Sequence, residues 1–392
     1  MRMRIKSIHF FTLGWLSCIF ISSGGYAEMR TGALKVSPSL SLENRYDDNV
    51  LLTSSNTISS YIGVISPGLK ATLPMGESSA VLDYRSDILR YSKNSSQYNS
   101  IHHSLLSQLN LRSRQGPAMT LSDQYQVSSD PPISELTGRV NYRQNTAQAL
   151  GSTPLGHHMG LGAGYSFYST SYEDATLRPL LDRSERLAIV NLNYHVRPKV
   201  QTFLEYDRGG LTYDTSSNGK DSKYDQFQGG VQGQITPKIK LIFKMGGQYR
   251  QYLATGNKAK TTVATLNAAY RPDASTEVEF IGERSVVESV FENNLFYRST
   301  RFGSNLSRQV ALKWRAHLDG DITLAGYPQP RTESGITDQR SDRLWRVNVG
   351  IDYALQKWLH ADLHYQRRQR ASNFSQFEYR DNLVALTIKA SL

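Results

Sequence analysis

Cysteine is almost missing from this 392-residue chain: Cys18 is the only one. It lies inside an apolar leader, so the processed chain holds no thiol. Disulfides, cysteine-ligated zinc and thiol catalysis are thereby excluded. Past the leader there is no apolar run of the ~20 residues that a membrane helix needs, and no long amphipathic helix. A Gly-x-Ser-x-Gly elbow, a phosphate-cradling glycine loop and a calcium-binding repeat are also lacking. No cofactor is expected, and a reading as an enzyme finds no support. Charge of both signs is plentiful, with 45 Lys+Arg against 34 Asp+Glu and a net +11; three of those cations, Arg2, Arg4 and Lys6, belong to the leader. The basic excess favours acidic partners, either anionic solutes or lipopolysaccharide phosphates. Nucleic acid is not an expected partner of an exported chain.

Arg2, Arg4 and Lys6 form a positive n-region, Ile8 to Ile21 an apolar core, and Gly25-Tyr26-Ala27 a small-residue cleavage site. The pattern predicts a cleaved signal peptide over 1–27, with Glu28 first in the mature chain. Trp15-Leu16-Ser17 before Cys18 fits a lipoprotein signal poorly. Residues 28–35 read as a short lead, and 36–392 as one barrel with no periplasmic domain. Any periplasmic export component is then a separate chain.

The last strand, Tyr379 to Leu392, fixes the class. Val384, Leu386, Ile388, Ala390 and Leu392 fall on one face; Ala385, Thr387, Lys389 and Ser391 fall on the other. An apolar face reaching the final residue suits the closing strand of an outer-membrane barrel. Mean hydropathy is only −0.46, because a membrane barrel hides its apolar character in every second residue. The same alternation marks Val200 to Arg208, Leu312 to Ile322 and Trp345 to Tyr353, and the 23 tyrosines recur near strand ends.

Short connections sit at Pro74-Met75-Gly76-Glu77, Gln115-Gly116-Pro117, Arg197-Pro198-Lys199, Thr236-Pro237-Lys238 and Arg271-Pro272-Asp273. Longer polar ones alternate with them: Ser92 to Tyr98, Ser128 to Glu135, Glu173 to Ser184, Asp214 to Ser222 and Tyr327 to Asp338. Counting gives an all-β fold, a single antiparallel up-and-down transmembrane barrel of about eighteen strands, sixteen being the alternative. Short periplasmic turns and longer extracellular loops follow. A soluble sandwich or solenoid explains neither the strand lengths nor the alternation of loops.

If apolar faces meet lipid, the other parity lines a water-filled lumen. That lining includes Asp83, Arg85 and Asp87; Arg139, Asn141 and Arg143; Glu205 and Asp207; Glu277, Glu279 and Glu283; and Arg346, Asp352 and Arg368. Such a wall favours a polar solute over a fatty acid. His360, Asp362 and His364 share one face of a strand, but their ~7 Å spacing reads as polar wall rather than a metal site. His102 and His103 point to opposite faces, and His157-His158 sits in a turn. No metal site is expected.

Leu42-Glu43-Asn44-Arg45-Tyr46-Asp47-Asp48-Asn49-Val50 ends the first strand, Ser66-Pro67-Gly68-Leu69 sits in the second, and Leu82-Asp83-Tyr84-Arg85 in the third. This order resembles the beta-barrel porin 2 family, whose members open with a Tyr-x-Asp-Asn element, then a Pro-Gly-Leu strand, then an acidic-Tyr strand. Tyr46, Asp47, Asp48, Asn49, Pro67, Gly68 and Tyr84 carry the resemblance. Physically, Asp47, Asp48 and Asn49 suit a turn that caps backbone N–H groups. The resemblance implies an outer-membrane component of exopolysaccharide or capsule operons. The leading expectation is thus a channel exporting polysaccharide from periplasm to surface, with Arg85, Arg139, Arg143, Arg315, Arg346 and Arg368 along the substrate path. The alternative is a general or anion-preferring diffusion porin, which calls for an inward-folded constricting loop; no early loop stands out as long. The third reading is a structural or adhesive surface barrel.

Overall fold

The computed structural model describes residues 29–114, 116–130, 138–215, 219–290, 294–333 and 335–391. The expected leader with Glu28, Gln115, residues 131–135 of one expected loop, and Leu392 lie outside the described residues. Nineteen strands form one sheet. The first, β1 (Met29–Thr31), pairs back on β2 (Leu34–Asp47), so an element begins within the expected lead. Next come β3 (Ser60–Met75), β4 (Ser78–Tyr91), β5 (Ser100–Arg112), β6 (Ala118–Ser128), β7 (Tyr142–Leu155) and β8 (Met159–Tyr172). They are followed by β9 (Arg183–Arg197), β10 (Val200–Tyr213), β11 (Ser222–Thr236), β12 (Ile239–Tyr252), β13 (Lys258–Tyr270) and β14 (Thr276–Glu288). The circuit ends with β15 (Phe296–Ala311), β16 (Trp314–Glu333), β17 (Ile336–Gln356), β18 (Leu359–Ser372) and β19 (Tyr379–Ser391).

Every neighbour pair from β2 to β19 is antiparallel, and β19 returns to β2 with Leu383 opposite Asp47 and Ser391 opposite Ser39. That pairing closes an eighteen-strand barrel. Closure is what lets strands cross lipid, because it leaves no unpaired backbone edge. The outer face carries the apolar parity: Leu40, Leu42, Ile65, Leu82, Val384 and Leu386 are all exposed there. Among the described residues no helix is long and apolar enough to cross a membrane, as expected where strands do the crossing.

The turns on the side of both described chain ends are short, such as residues 76–77, 198–199 and 237–238; the opposite connections, such as 48–59, 92–99 and 173–182, are longer. Two of these hold single helical turns, α1 (Ser95–Tyr98) and α2 (Arg178–Leu181). One expectation needs correcting. Tyr327 to Asp338 is not a polar loop: β16 and β17 stay paired out to Glu333 and Ile336, after a register break between Gly326 and Pro330. Polar sequence outside the membrane still makes a hairpin when the ladder continues, since nothing there demands an apolar face.

Candidate functional site

Lumen-facing residues divide by height. In the periplasmic half Asp83, Gln232, Glu277, Asp352 and Asp362 are half-exposed. In the extracellular half the same parity is buried, including Ile62, Val64, Leu89, Leu211, Val263 and Leu383. The outer end of the barrel is therefore packed from within, and side chains fill part of the lumen there.

Part of this packing comes from the β2–β3 connection. Val50, 3% exposed, turns inward and packs with Ile62, Val64, Leu89, Tyr91 and Tyr98, with Leu51 and Ile58 against the same cluster; Leu52 is likewise 3% exposed. The segment reaches sideways as well, with Gly138 N donating to Leu51 O at 3.0 Å. An early inward-folded loop thus exists, against the sequence expectation that none stands out. Its signal was present: Val50-Leu51-Leu52 is an apolar run in a loop where solvent exposure would favour polar residues. Other connections are tied across the mouth too. Lys220, fully buried, donates from Nζ to Ser289 O at 2.7 Å, and Asn294 and Gln329 exchange two hydrogen bonds.

Tyrosines and arginines supply the rest. Arg139 lies over the Tyr91 ring at 4.7 Å and Arg250 over Tyr224 at 4.8 Å. Arg340 lies over Tyr327 at 4.8 Å and Arg370 over Tyr379 at 4.9 Å. Many of the strand-end tyrosines therefore face inward rather than forming a belt in lipid. Tyr224 reaches across β10 to donate to Glu185 at 2.6 Å. It can do so because Gly209 has no Cβ where that ring lies.

The expected path residues separate on inspection. Arg85 is lumenal and pairs with Asp87 at 2.7 Å. Arg139 projects inward from the loop before β7, donating to Ser129 Oγ at 2.6 Å and Ser100 Oγ at 3.2 Å. Beside it, Asp130 is surrounded by barrel wall yet open to lumen water; enclosure alone would raise its pKa, but His102, Arg45 and Arg139 hold it below the ordinary carboxylate value. Arg315 stands opposite Asp352 in the ladder, and Arg346 pairs with Asp321 at 2.8 Å. Arg368 bridges Asp381 and, at 3.9 Å, Asp47.

Arg143 is a correction. It pairs with Val127 and Ser171, whose parity faces outward, and its side chain is exposed on the outer surface. Its error has a simple origin: β7 begins at Tyr142, so alternation cannot be carried from Arg139 through the preceding loop.

The aspartate–asparagine element is a latch on the barrel seam. Asp47 Oδ1 accepts from Asn49 N at 2.9 Å. Asp48 accepts from Asn382 N at 2.8 Å and from Asn382 Nδ2 at 2.7 Å. Asn49, 1% exposed, donates to Thr53 O and Arg380 O and accepts from Thr53 N. The turn-capping reading of these residues holds. Asp47, Asp48 and Asp381 also converge closely enough to suggest a cation site, but the Arg368 guanidinium already lies against Asp381 and Asp47, and Asn382 holds both oxygens of Asp48. Elsewhere in the motif, Tyr46, Pro67 and Tyr84 face outward, and Tyr84 Oη meets His103 Nδ1 at 2.9 Å. Gly68 leaves room for Ser39 on the lumenal side.

The positive excess lies outside the pore. Lumenal cations mostly have carboxylate partners, as above. On the outward parity, within about five residues of the outer strand ends, stand Arg90, Arg143, Arg186, Arg208, Lys223, Lys258, Lys260, Arg298 and Arg380, with Arg343 just below the outer extension of β17, all exposed. Asp225, the outward acid among them, pairs with Arg208 at 3.4 Å, and Asp123 lies lower on β6. In the periplasmic half of the described strands, Arg308 is the outward cation.

Comparison with known proteins gives one family. The profile described as "Putative beta-barrel porin 2" matches residues 25–392. No curated protein sequence matches the chain. Similar solved structures include the outer membrane protein OpdK of Pseudomonas aeruginosa, 12% identical, covering 91% of this chain and 99% of that one with a TM-score of 0.46. OccK9 (OpdG) of the same organism is 11% identical over 92% and 98%, with a TM-score of 0.48. OccAB4 of Acinetobacter baumannii is 11% identical over 91% and 98%, with a TM-score of 0.46. Likenesses at this level carry no argument about solutes.

Proposed function

The chain belongs to the beta-barrel porin 2 family and is an outer-membrane β-barrel channel; from that premise we propose that it is a diffusion porin for small polar solutes. The observation that carries this reading is the contrast between the two halves of the lumen. A half-exposed polar wall below leads to a mouth narrowed by the 48–59 connection and by inward tyrosines. An inward-folded constriction is what a size-limiting diffusion pore needs, and a polymer exporter would have to move it aside. Paired lumenal charges give weak discrimination by sign, so a general porin fits better than an anion-preferring one. Export of exopolysaccharide draws only on the family resemblance, and the geometry adds nothing to it.

The test is conductance and liposome swelling with the refolded barrel alone. Steady ion conductance is expected, with entry of monosaccharides and small zwitterions but not of long oligosaccharides. A folded barrel without conductance, joined to loss of surface polymer on gene deletion, would overturn the proposal and restore the export reading. We also propose that a leader over 1–27 directs the chain across the inner membrane, which N-terminal sequencing of the mature protein checks.

The outward arginines and lysines suit the anionic headgroups of the outer leaflet. Long side chains lay their stems on apolar surface and keep their charge at the interface. Each cation near an anionic surface contributes about 1 kcal/mol. Replacing Arg143, Arg186, Arg298 and Arg380 together by Gln is expected to lower the melting temperature in lipopolysaccharide-containing vesicles. In phosphatidylcholine vesicles the same variant should melt like wild type, and raised salt should shrink the difference.

A further inference from the structure

Three neighbouring strands near the periplasmic end bring two histidines and two aspartates together on the lumenal wall. His317 projects from β16, Asp352 from β17, and Asp362 and His364 from β18. His317 Nδ1 lies 3.4 Å from Asp352 Oδ2, and its Nε2 lies 3.8 Å from Asp362 Oδ2. His364 Nδ1 lies 2.7 Å from Asp362 Oδ1. Ligand atoms of His317, Asp352 and Asp362 all fall within 4.8 Å of one another. All four side chains are partly open to the lumen, at 22–40% exposure for the first three and 23% for His364.

Two details favour a ligand over a simple ion-pair chain. An imidazolium held by two carboxylates makes N–H···O bonds of about 2.7–3.2 Å, and neither His317 contact is that short. Donor atoms of His317, Asp352 and Asp362 that all lie within 4.8 Å of one another need shift by only about 1 Å to stand at the roughly 3.3–3.6 Å separations of ligands around one tetrahedral ion. Asp362 Oδ2, the oxygen turned toward His317, is buried and has no hydrogen-bond partner among the described residues. The ring position is also built in. A Cβ on Gly350 would collide with His317 Nε2 and Cε1, so this glycine in the middle of β17 is what lets the imidazole lie flat and reach β18.

We propose that His317, Asp352 and Asp362 bind a divalent transition-metal ion on the channel wall, with His364 holding Asp362 in place through its Oδ1. Mixed imidazole and carboxylate donors suit Zn2+, Co2+, Ni2+ or Cu2+ rather than Ca2+ or Mg2+, which prefer oxygen alone. A bound dication neutralises the two aspartates of the wall and changes the current of small ions past it.

Co2+ is the probe, because tetrahedral coordination gives it visible absorption. The refolded wild-type barrel is expected to bind one Co2+ that Zn2+ displaces, and Zn2+ is expected to lower single-channel conductance reversibly on chelation. His317→Ala should abolish both effects. Gly350→Ala, which moves the ring without removing a ligand, should weaken binding by on the order of 10- to 100-fold. His195→Ala, on a distant strand, should change neither. Folding is checked by heat-modifiable migration on gels, and His317→Gln replaces the alanine variant if the latter does not fold. Absence of Co2+ binding by the wild-type barrel, or equal binding by wild type and His317 variants, overturns the proposal and leaves an ion-pair network only.

Discussion

Replacing residues 51–58 by two glycines is expected to raise single-channel conductance several-fold. The excised segment holds Leu51 and Ile58, which pack onto the cluster of Ile62, Val64 and Leu89 in the outer lumen, and the buried Leu52. Asp47, Asp48 and Asn49 stay in place, so the seam keeps its Asp48–Asn382 pair. Burial of an aliphatic side chain is worth about 1.5–3 kcal/mol, so exposing several of these to lumen water also lowers stability. The two effects separate in measurement, since conductance is read only from barrels that migrate as folded. An unchanged current from folded barrels would place the narrowest point on the opposite wall, beside Arg250 and Tyr252.

Arg368→Ala should destabilise the barrel by about 3–5 kcal/mol, the usual result of removing one partner of a buried ion pair. Asp381 is fully buried and Asp47 is 5% exposed, and Arg368 is the cation bridging them. Without it two carboxylates face each other in the wall with only the less direct charge of Arg45 to offset Asp47. The denaturant midpoint in detergent or lipid should fall clearly. Adding Asp381→Asn to the same chain should recover much of the loss, because it removes the stranded charge. A single variant as stable as wild type would mean that lumen water solvates the pair well enough. This expectation changes how the path arginines are tested. Arg368 is first a structural residue, so neutralising it cannot isolate an effect on transport.

Much of the barrel was legible because one physical rule repeats along it. Lipid on one side and water on the other force a period of two, and Val384, Leu386 and Ile388 display it without ambiguity. Parity failed where strands end. Arg143 was placed in the lumen by counting through a loop, and loops do not preserve alternation. The outer mouth was harder to read, since inward and outward tyrosines look alike near strand ends. Tyr91 and Tyr252 are buried in the lumen, whereas Tyr61 is 63% exposed on the outer face. Only the ladder register distinguishes them. The His317 cluster was half visible: Asp362 and His364 stand on one face of one strand and read as polar wall, while His317 and Asp352 come from two other strands that only the register brings alongside. Arg85, Arg346 and Arg368 face the lumen, but the partners of Arg346 and Arg368 across the ladder depend on register that alternation alone does not fix.

Seventeen of the eighteen junctions around the barrel join strands that follow one another in the chain; the β19–β2 junction alone joins its two ends. Hydrogen bonds such as Asp48 to Asn382 span 334 positions. Hairpins can form as soon as their own residues are available, but this junction waits until both Asp48 and Asn382 are available. The Asp48–Asn49 latch therefore works as a completeness check. A chain stalled or cut before Asn382 keeps an open edge, and an open edge in lipid exposes unpaired backbone that quality-control proteases can grip.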